Sequence, residues 1–294
     1  MRLSPPSRLS RLSSTVIMGF LLLTAPAFAA DVYSFIVDQQ GGTAFSSKDG
    51  IVIDDSAIKG TVVLEGRKYR AELAPDPDSP RPYQAVISKD GGEHEIALNL
   101  QSHTFYEPPA ATLTSSLLHL FPVGDGTVSN VKLDTVEAPA PETVAGIQAR
   151  RHEIRLSYDI TIVLPPPGGA PGVPKGRSET VRGKVKVDAI YWLAEGRTPA
   201  LPRLLRPEIS TGFAEIDPRL AAAIAALQGI PVKQQVTITT EGDQSTEPQT
   251  SVRTAVLQNH KTQESKASLF EIPSGFKRHE PEMARPGMGA LPPR

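Results

Sequence analysis

The sequence has no cysteine. That excludes thiolate catalysis and any Cys-ligated zinc or iron–sulfur site. In an exported chain it also means that available disulfides are unused, so stability rests on burial. Familiar catalytic grammar is missing as well: there is no Gly-x-Ser-x-Gly elbow, no Ser-x-x-Lys pair and no His-Glu-x-x-His. No glycine-rich phosphate loop leads into a helix, and Gly41-Gly42 and Gly91-Gly92 read as turn glycines. The six histidines are His94, His103, His119, His152, His260 and His279, and none has a two-His metal spacing on a helix. His94 and His103 lie near Glu93, Glu95 and Glu107, and they read as strand and turn residues on a solvated edge. These gaps set the expectation of a non-catalytic protein without cofactor or metal, with an unrecognised hydrolase as the alternative.

Excess positive charge is lacking too. The chain carries a formal net charge of −1, and it goes to −4 once the three arginines of the first thirty residues are set aside. A mildly acidic chain has no basic face for a nucleic acid and no pull toward anionic headgroups.

Residues 1–30 have the three-part pattern of a secretory signal peptide. Arg2, Arg8 and Arg11 lead, Thr15 to Thr24 is apolar, and Pro26-Ala27-Phe28-Ala29-Ala30 is a small-residue cleavage site. The apolar run is shorter than the ~20 residues that cross a bilayer. No later stretch is long and apolar enough to do so. The expectation is an exported protein, periplasmic or extracellular, whose mature form begins at Ala30 or Asp31.

Within 31–279 the dominant signal is alternation. From His152 to Val163, the residues Ile154, Leu156, Tyr158, Ile160 and Ile162 share one face, and Glu153, Arg155, Ser157, Asp159 and Thr161 share the other. Thr180 to Leu193 repeats the pattern, with Val181, Val185, Val187, Ala189, Tyr191 and Leu193 opposing Arg182, Lys184, Lys186 and Asp188. Period two with one wet face is a half-buried antiparallel strand. The two segments predict a long hairpin whose tip is the Pro-rich loop 164–175. Further strands are expected at Tyr33–Val37, Lys68–Leu73, Tyr83–Ser88, Glu93–Leu100, Val128–Glu137, Val232–Ile238 and Val252–Gln258. Strands of ten to fourteen residues exceed the usual five or six or so and tend to twist and coil.

Two helices are expected. Asp217–Gln228 has Asp217 as a capping candidate, Pro218 in the first turn, alanines through the middle and Gly229 as a stop. Ala111–Phe121 carries an apolar stripe ended by Pro122. Residues 280–294 are rich in Pro and Gly without periodicity and read as a disordered tail. The whole of 31–279 reads as one α+β domain, mainly antiparallel β.

Several motifs carry a resemblance. They are Gly66 to Leu73 (GRKYRAEL), Thr104-Phe105-Tyr106-Glu107, Glu142-Thr143-Val144-Ala145-Gly146, Gln228-Gly229-Ile230-Pro231-Val232 and Ser268 to Lys277 (SLFEIPSGFK). Their layout over most of 31–279 resembles secreted bacterial proteins of unknown function with the lipoprotein-carrier (LolA-like) architecture. The resemblance implies a strongly curved half-barrel sheet of long strands, covered on its concave face by short helices. In the carriers that face holds acyl chains. This chain departs from them in its Pro-rich insert and in lacking a matching lipid-contacting motif.

The candidate lining for a lipid or other hydrophobic ligand is Ile154, Leu156, Tyr158, Ile160, Val185, Val187 and Ala189 on strands, with Leu220, Ile224 and Leu227 on the helix. The competing reading of the same residues is a filled core. An alternative function is a protein-interaction or structural module of the cell envelope that uses the Pro-rich loop, with an envelope protein as its partner.

Overall fold

The computed structural model describes residues 29–40, 57–76, 83–107, 126–164, 179–196, 198–206, 209, 211–243 and 247–279. Its strands are β1 (Ala29–Gln40), β2 (Ile58–Glu65), β3 (Lys68–Leu73), β4 (Ala85–Ser88), β5 (Ile96–Asn99), β6 (Thr104–Tyr106), β7 (Gly126–Val144), β8 (Ile147–Leu164), β9 (Glu179–Ala194), β10 (Ile230–Gly242), β11 (Gln249–Glu264) and β12 (Lys277–Arg278). One α-helix, α1 (Asp217–Ala225), and short 3-10 turns at Arg203–Leu205 and Ala267–Phe270 complete the described elements. The signal-peptide pattern up to residue 28, the expected helix Ala111–Phe121, the Pro-rich tip beyond Leu164 and the tail 280–294 lie outside the described residues.

All the strands form one sheet in the order β12-β6-β5-β4-β3-β2-β1-β11-β10-β9-β8-β7. Every neighbouring pair is antiparallel except β12–β6. Strand β1 sits near the middle, between β2 and β11, and so joins the early and late parts of the chain. Its second residue, Ala30, is already buried and pairs with Gln263. Strands β7, β8, β9 and β11 are 19, 18, 16 and 16 residues long. Strand β7 is an edge and holds Pro141, whose missing N–H costs no ladder bond on an outer strand. The tight β7–β8 turn places Ala145 and Gly146 at φ 49° and 81°, the left-handed geometry of a two-residue hairpin.

The register puts a continuous apolar row across β8, β9 and β10. Ile154 pairs with Ala189, and Ala189 with Val236; Leu156 pairs with Val187, and Val187 with Ile238. On the other side of β11, Phe35 faces Leu257 and Val37 faces Ala255. Gly60 of β2 lies opposite Phe35, and a Cβ there would stand 2.6 Å from the Phe35 ring and 2.1 Å from the Glu72 carbonyl oxygen, so only glycine fits.

The connection between β9 and β10 packs on this apolar face in two parts. Leu201 and Leu205 are buried with Tyr33, Phe35, Val62, Tyr69 and Leu257. Ile209, Ile216 and Leu220 are buried with the rows of β8, β9 and β10. Fully burying an aliphatic side chain contributes ~1.5–3 kcal/mol, so both parts are strongly bound.

The opposite face is mostly polar, but at the β3–β6 end the C-terminal segment packs on it. Phe270 is 1% exposed, and Ile272 and Phe276 lie against Ala85, Ile87 and Leu98. Arg70 Nη1 donates to the Leu269 carbonyl at 3.3 Å, and Lys68 Nζ stands 5.7 Å from the Phe270 ring centroid. The SLFEIPSGFK motif thus has a packing role in this chain.

Asp217 is the first helical residue of α1, not its N-cap; the cap position is Ile216, which has no capping side chain. The Asp217 carboxylate instead accepts from the Thr211 N–H and hydroxyl, each at 2.7 Å, and from the Gly212 N–H at 3.0 Å. It ties down the loop that delivers α1 to the sheet. No described helix is long and apolar enough to cross a membrane.

Candidate functional site

All ten residues expected to line a ligand site fall in one cluster. Ile154, Leu156, Tyr158 and Ile160 come from β8, and Val185, Val187 and Ala189 from β9; the pairing of Tyr158 with Val185 continues the row. Leu220 of α1 is fully buried against them, and Ile224 and Leu227 are partly buried at the margin. The eight buried members are at most 2% exposed. Here the face and α1 are in direct contact. The Tyr158 ring meets Phe213 edge-on at 6.0 Å. Burial, helped by the Asp217 charge, pushes the Tyr158 hydroxyl above its ordinary range, so it stays a neutral donor.

The row loosens at one end. A cleft of about 160 Å3 opens beside Ile160, Ile162 and Val181, with Arg182, Lys184 and Glu241 at its rim. Its origin is local: Gly183 lies opposite Ile160 on one side and Gly242 on the other, so two neighbouring positions of the face have no side chain. A Cβ at Gly183 would approach the Glu241 carbonyl oxygen to 2.8 Å. Glu241 also pairs with Lys186 at 2.9 Å, which holds its carboxyl below the usual range.

Sequence reasoning missed a polar seam that crosses the apolar face between its two halves. Gln39 of β1, Arg253 of β11 and Gln234 of β10 are 4%, 3% and 2% exposed. Gln39 is opposite Arg253, and Gln234 is opposite Ala255 and Tyr191. An Arg253 Nη2 hydrogen bond reaches the Leu204 carbonyl, and Gln234 Nε2 donates to the Leu205 carbonyl at 2.8 Å. A second buried polar group stands nearby: Tyr69 donates to the Glu95 carboxylate, which also accepts from the Arg203 N–H at 3.0 Å. Burial and the Glu95 charge push the Tyr69 hydroxyl upward. A signal for the seam was present in the sequence. Gln39, Gln234 and Arg253 each stand in period two with Tyr33–Val37, Val236–Ile238 and Ala255–Leu257, so a strict reading of the alternation puts them on the apolar side.

The carboxylates on the polar face find partners both within and between strands. Glu153 pairs with Arg151 at 2.6 Å and with Arg155, both on its own strand. Glu142 accepts from Trp192 Nε1 at 2.9 Å, and Asp159 accepts from Asn130 at 2.6 Å. The Lys233 ammonium sits 4.4 Å from the Trp192 ring centroid. Among the described residues, no group of three His, Asp or Glu side chains is placed to hold a metal. His94 bonds Asp90 at 2.6 Å in the β4–β5 turn.

The chain matches no protein-family profile, and no curated protein is detectably similar to it.

Proposed function

We propose that this is an exported, non-catalytic protein of the periplasm or cell envelope that binds a lipid or other hydrophobic molecule. The binding surface is the apolar face of the sheet. In this reading the sheet is a half-barrel of the lipoprotein-carrier kind, and the described residues 198–206 and 211–229 belong to its movable cover. One observation carries the proposal: the apolar row runs unbroken from β8 to β10 and resumes on β11, β1 and β2, and among the described residues one chain connection packs on it. A guest that displaces part of that connection exchanges one buried apolar surface for another, so the net cost of opening is small.

The cleft of about 160 Å3 is below the ~300–1,000 Å3 typical of a formed ligand pocket. Binding at this cleft therefore requires the cover to shift, and the two-glycine notch beside Ile160 is where a chain end first finds room. Native mass spectrometry of the purified full chain, together with uptake of the neutral probe N-phenyl-1-naphthylamine after delipidation, tests the reading. The expected result is co-purified lipid mass or saturable uptake of about one probe per chain. A protein that is free of lipid as purified and takes up no probe rules the reading out.

A further inference from the structure

We infer that Arg253 anchors the acidic head of an anionic amphiphile whose chain lies along the apolar face. This rests on the ligand-binding reading above and adds to it the chemical class of the guest. Arg253 is a guanidinium placed in the middle of an apolar surface. Along β11 its neighbour on the same face is Ala255, across β10 it faces Val236, and across β1 it faces Gln39. It is 3% exposed, and burial pushes it down to about 10, which leaves it a cation at neutral pH.

Removing one partner of a buried charge pair is strongly destabilising, because the remaining charge is then uncompensated. Among the described residues no carboxylate pairs with Arg253, and the buried acid nearest in kind, Glu95, is engaged by Tyr69 and Arg203. The one hydrogen bond of the guanidinium among the described residues runs from Nη2 to the Leu204 carbonyl. Its Nε has no acceptor, and neither Gln39 Oε1 nor Gln234 Oε1 has a donor. Buried polar groups are normally satisfied, and sites where several are not are sites for a missing partner.

The free Nε–H and the Nη2–H now spent on Leu204 form one edge of the guanidinium, the edge that takes a carboxylate or phosphate side-on through two parallel hydrogen bonds. A guest acid there removes the uncompensated charge. Its hydrocarbon chain meets Phe35 and Leu257 on one side of the seam and Val236 and Ile238 on the other. When no guest is bound the Leu204 carbonyl occupies Nη2 and the Leu205 carbonyl takes the neighbouring Gln234 amide, so residues 203–205 act as the plug that an acidic head displaces.

The test uses delipidated full-length protein and competition against N-phenyl-1-naphthylamine by three sixteen-carbon ligands: hexadecanoate, hexadecyl phosphate and hexadecanol. The expected result is that at least one acid binds tenfold or more tighter than the alcohol, about what a pair of charge-assisted hydrogen bonds gives. Which acid leads tells a fatty acid from a phospholipid-like head. The preference should fall to about one in Arg253→Gln and be partly kept in Arg253→Lys, with circular dichroism establishing that each variant is folded. If Arg253→Gln does not fold, the wild-type ratio decides alone. Equal binding of acids and alcohol overturns the inference and leaves the ligand-binding reading standing, whereas no binding of any ligand or probe removes both.

Discussion

The two halves of the apolar face hold the β9–β10 connection by different physics. Over β8–β10 the contacts are aliphatic: Ile216 and Leu220 are fully buried among Ile154, Leu156, Val187 and Ile238. Over β1–β3 and β11 the connection also presses leucines onto the sheet, but directed polar bonds fasten it. Arg253 and Gln234 bond the Leu204 and Leu205 carbonyls, Glu95 takes the Arg203 N–H, and Arg206 donates to the Leu201 and Gly91 carbonyls. Apolar contact is lost gradually as surfaces separate. A buried hydrogen bond is either made or leaves an orphan whose desolvation is uncompensated. The first half therefore supplies stability, and the second supplies a defined position from which the connection departs only if something replaces its carbonyls.

The difference can be broken from the polar side first. Glu95→Ala removes the carboxylate that accepts from the Tyr69 hydroxyl and that stands 3.9 Å from the Arg203 guanidinium. It is expected to lower stability by about 4 kcal/mol, as breaking a buried charged contact does. Hydrogen exchange should rise at the amides of 203–206 while those of α1 stay protected. Equal deprotection of both segments would show that the halves are one cooperative unit.

A somewhat smaller effect is expected on the aliphatic side. Leu220→Ala removes a fully buried side chain and should cost about 3 kcal/mol in denaturant unfolding. Its exchange signature should be the reverse, with α1 opening before 203–206. A loss below about 1 kcal/mol would mean that the Leu220 site collapses freely and that α1 is not what holds this half.

The smallest effect lies outside both halves and serves as a control. In the β4–β5 turn, the hydrogen bond to Asp90 and its charge raise His94 above its ordinary 6.5, and the same contacts hold Asp90 well below the usual carboxylate range. For Asp90, depressed in the folded state, the stabilisation is present above its ordinary 3.8 and is lost as pH falls through the lower folded value. For His94, raised in the folded state, it is present below 6.5 and is lost as pH rises through the higher value. The pair is fully engaged between those two ordinary values. An NMR titration of the His94 ring should show the raised midpoint, and Asp90→Asn should return it toward normal without altering exchange in the connection.

Much of this was legible in local sequence. The alternation from Ile154 to Ile162 and from Val181 to Leu193 names the strands, their faces and the seven strand residues expected to line the site. The alanine-rich run after Pro218 names α1. Strand β2 was not legible, because Gly60 and the consecutive Val62-Val63-Leu64 break the period. The role of Asp217 was misread for a related reason: a cap is inferred from position, whereas its carboxylate reaches back to Thr211 and Gly212 through a loop whose path no spacing rule sets. Arg253 was passed over because Val252, Thr254 and Val256 make the other face of that strand look equally apolar.

The order of side chains along each strand decides which residues share a face, since period two is a property of the extended backbone itself. That much belongs to the sequence alone, as do the stops and turns marked by glycine and proline. Which strands become neighbours was decided only in three dimensions. The placing of β1 beside β11, the passage of the C-terminal segment over the opposite face, and the meeting of Gln39, Gln234 and Arg253 in one seam join residues some twenty to more than two hundred positions apart. Contacts of that range depend on the whole set of packing choices at once, and no local window contains them.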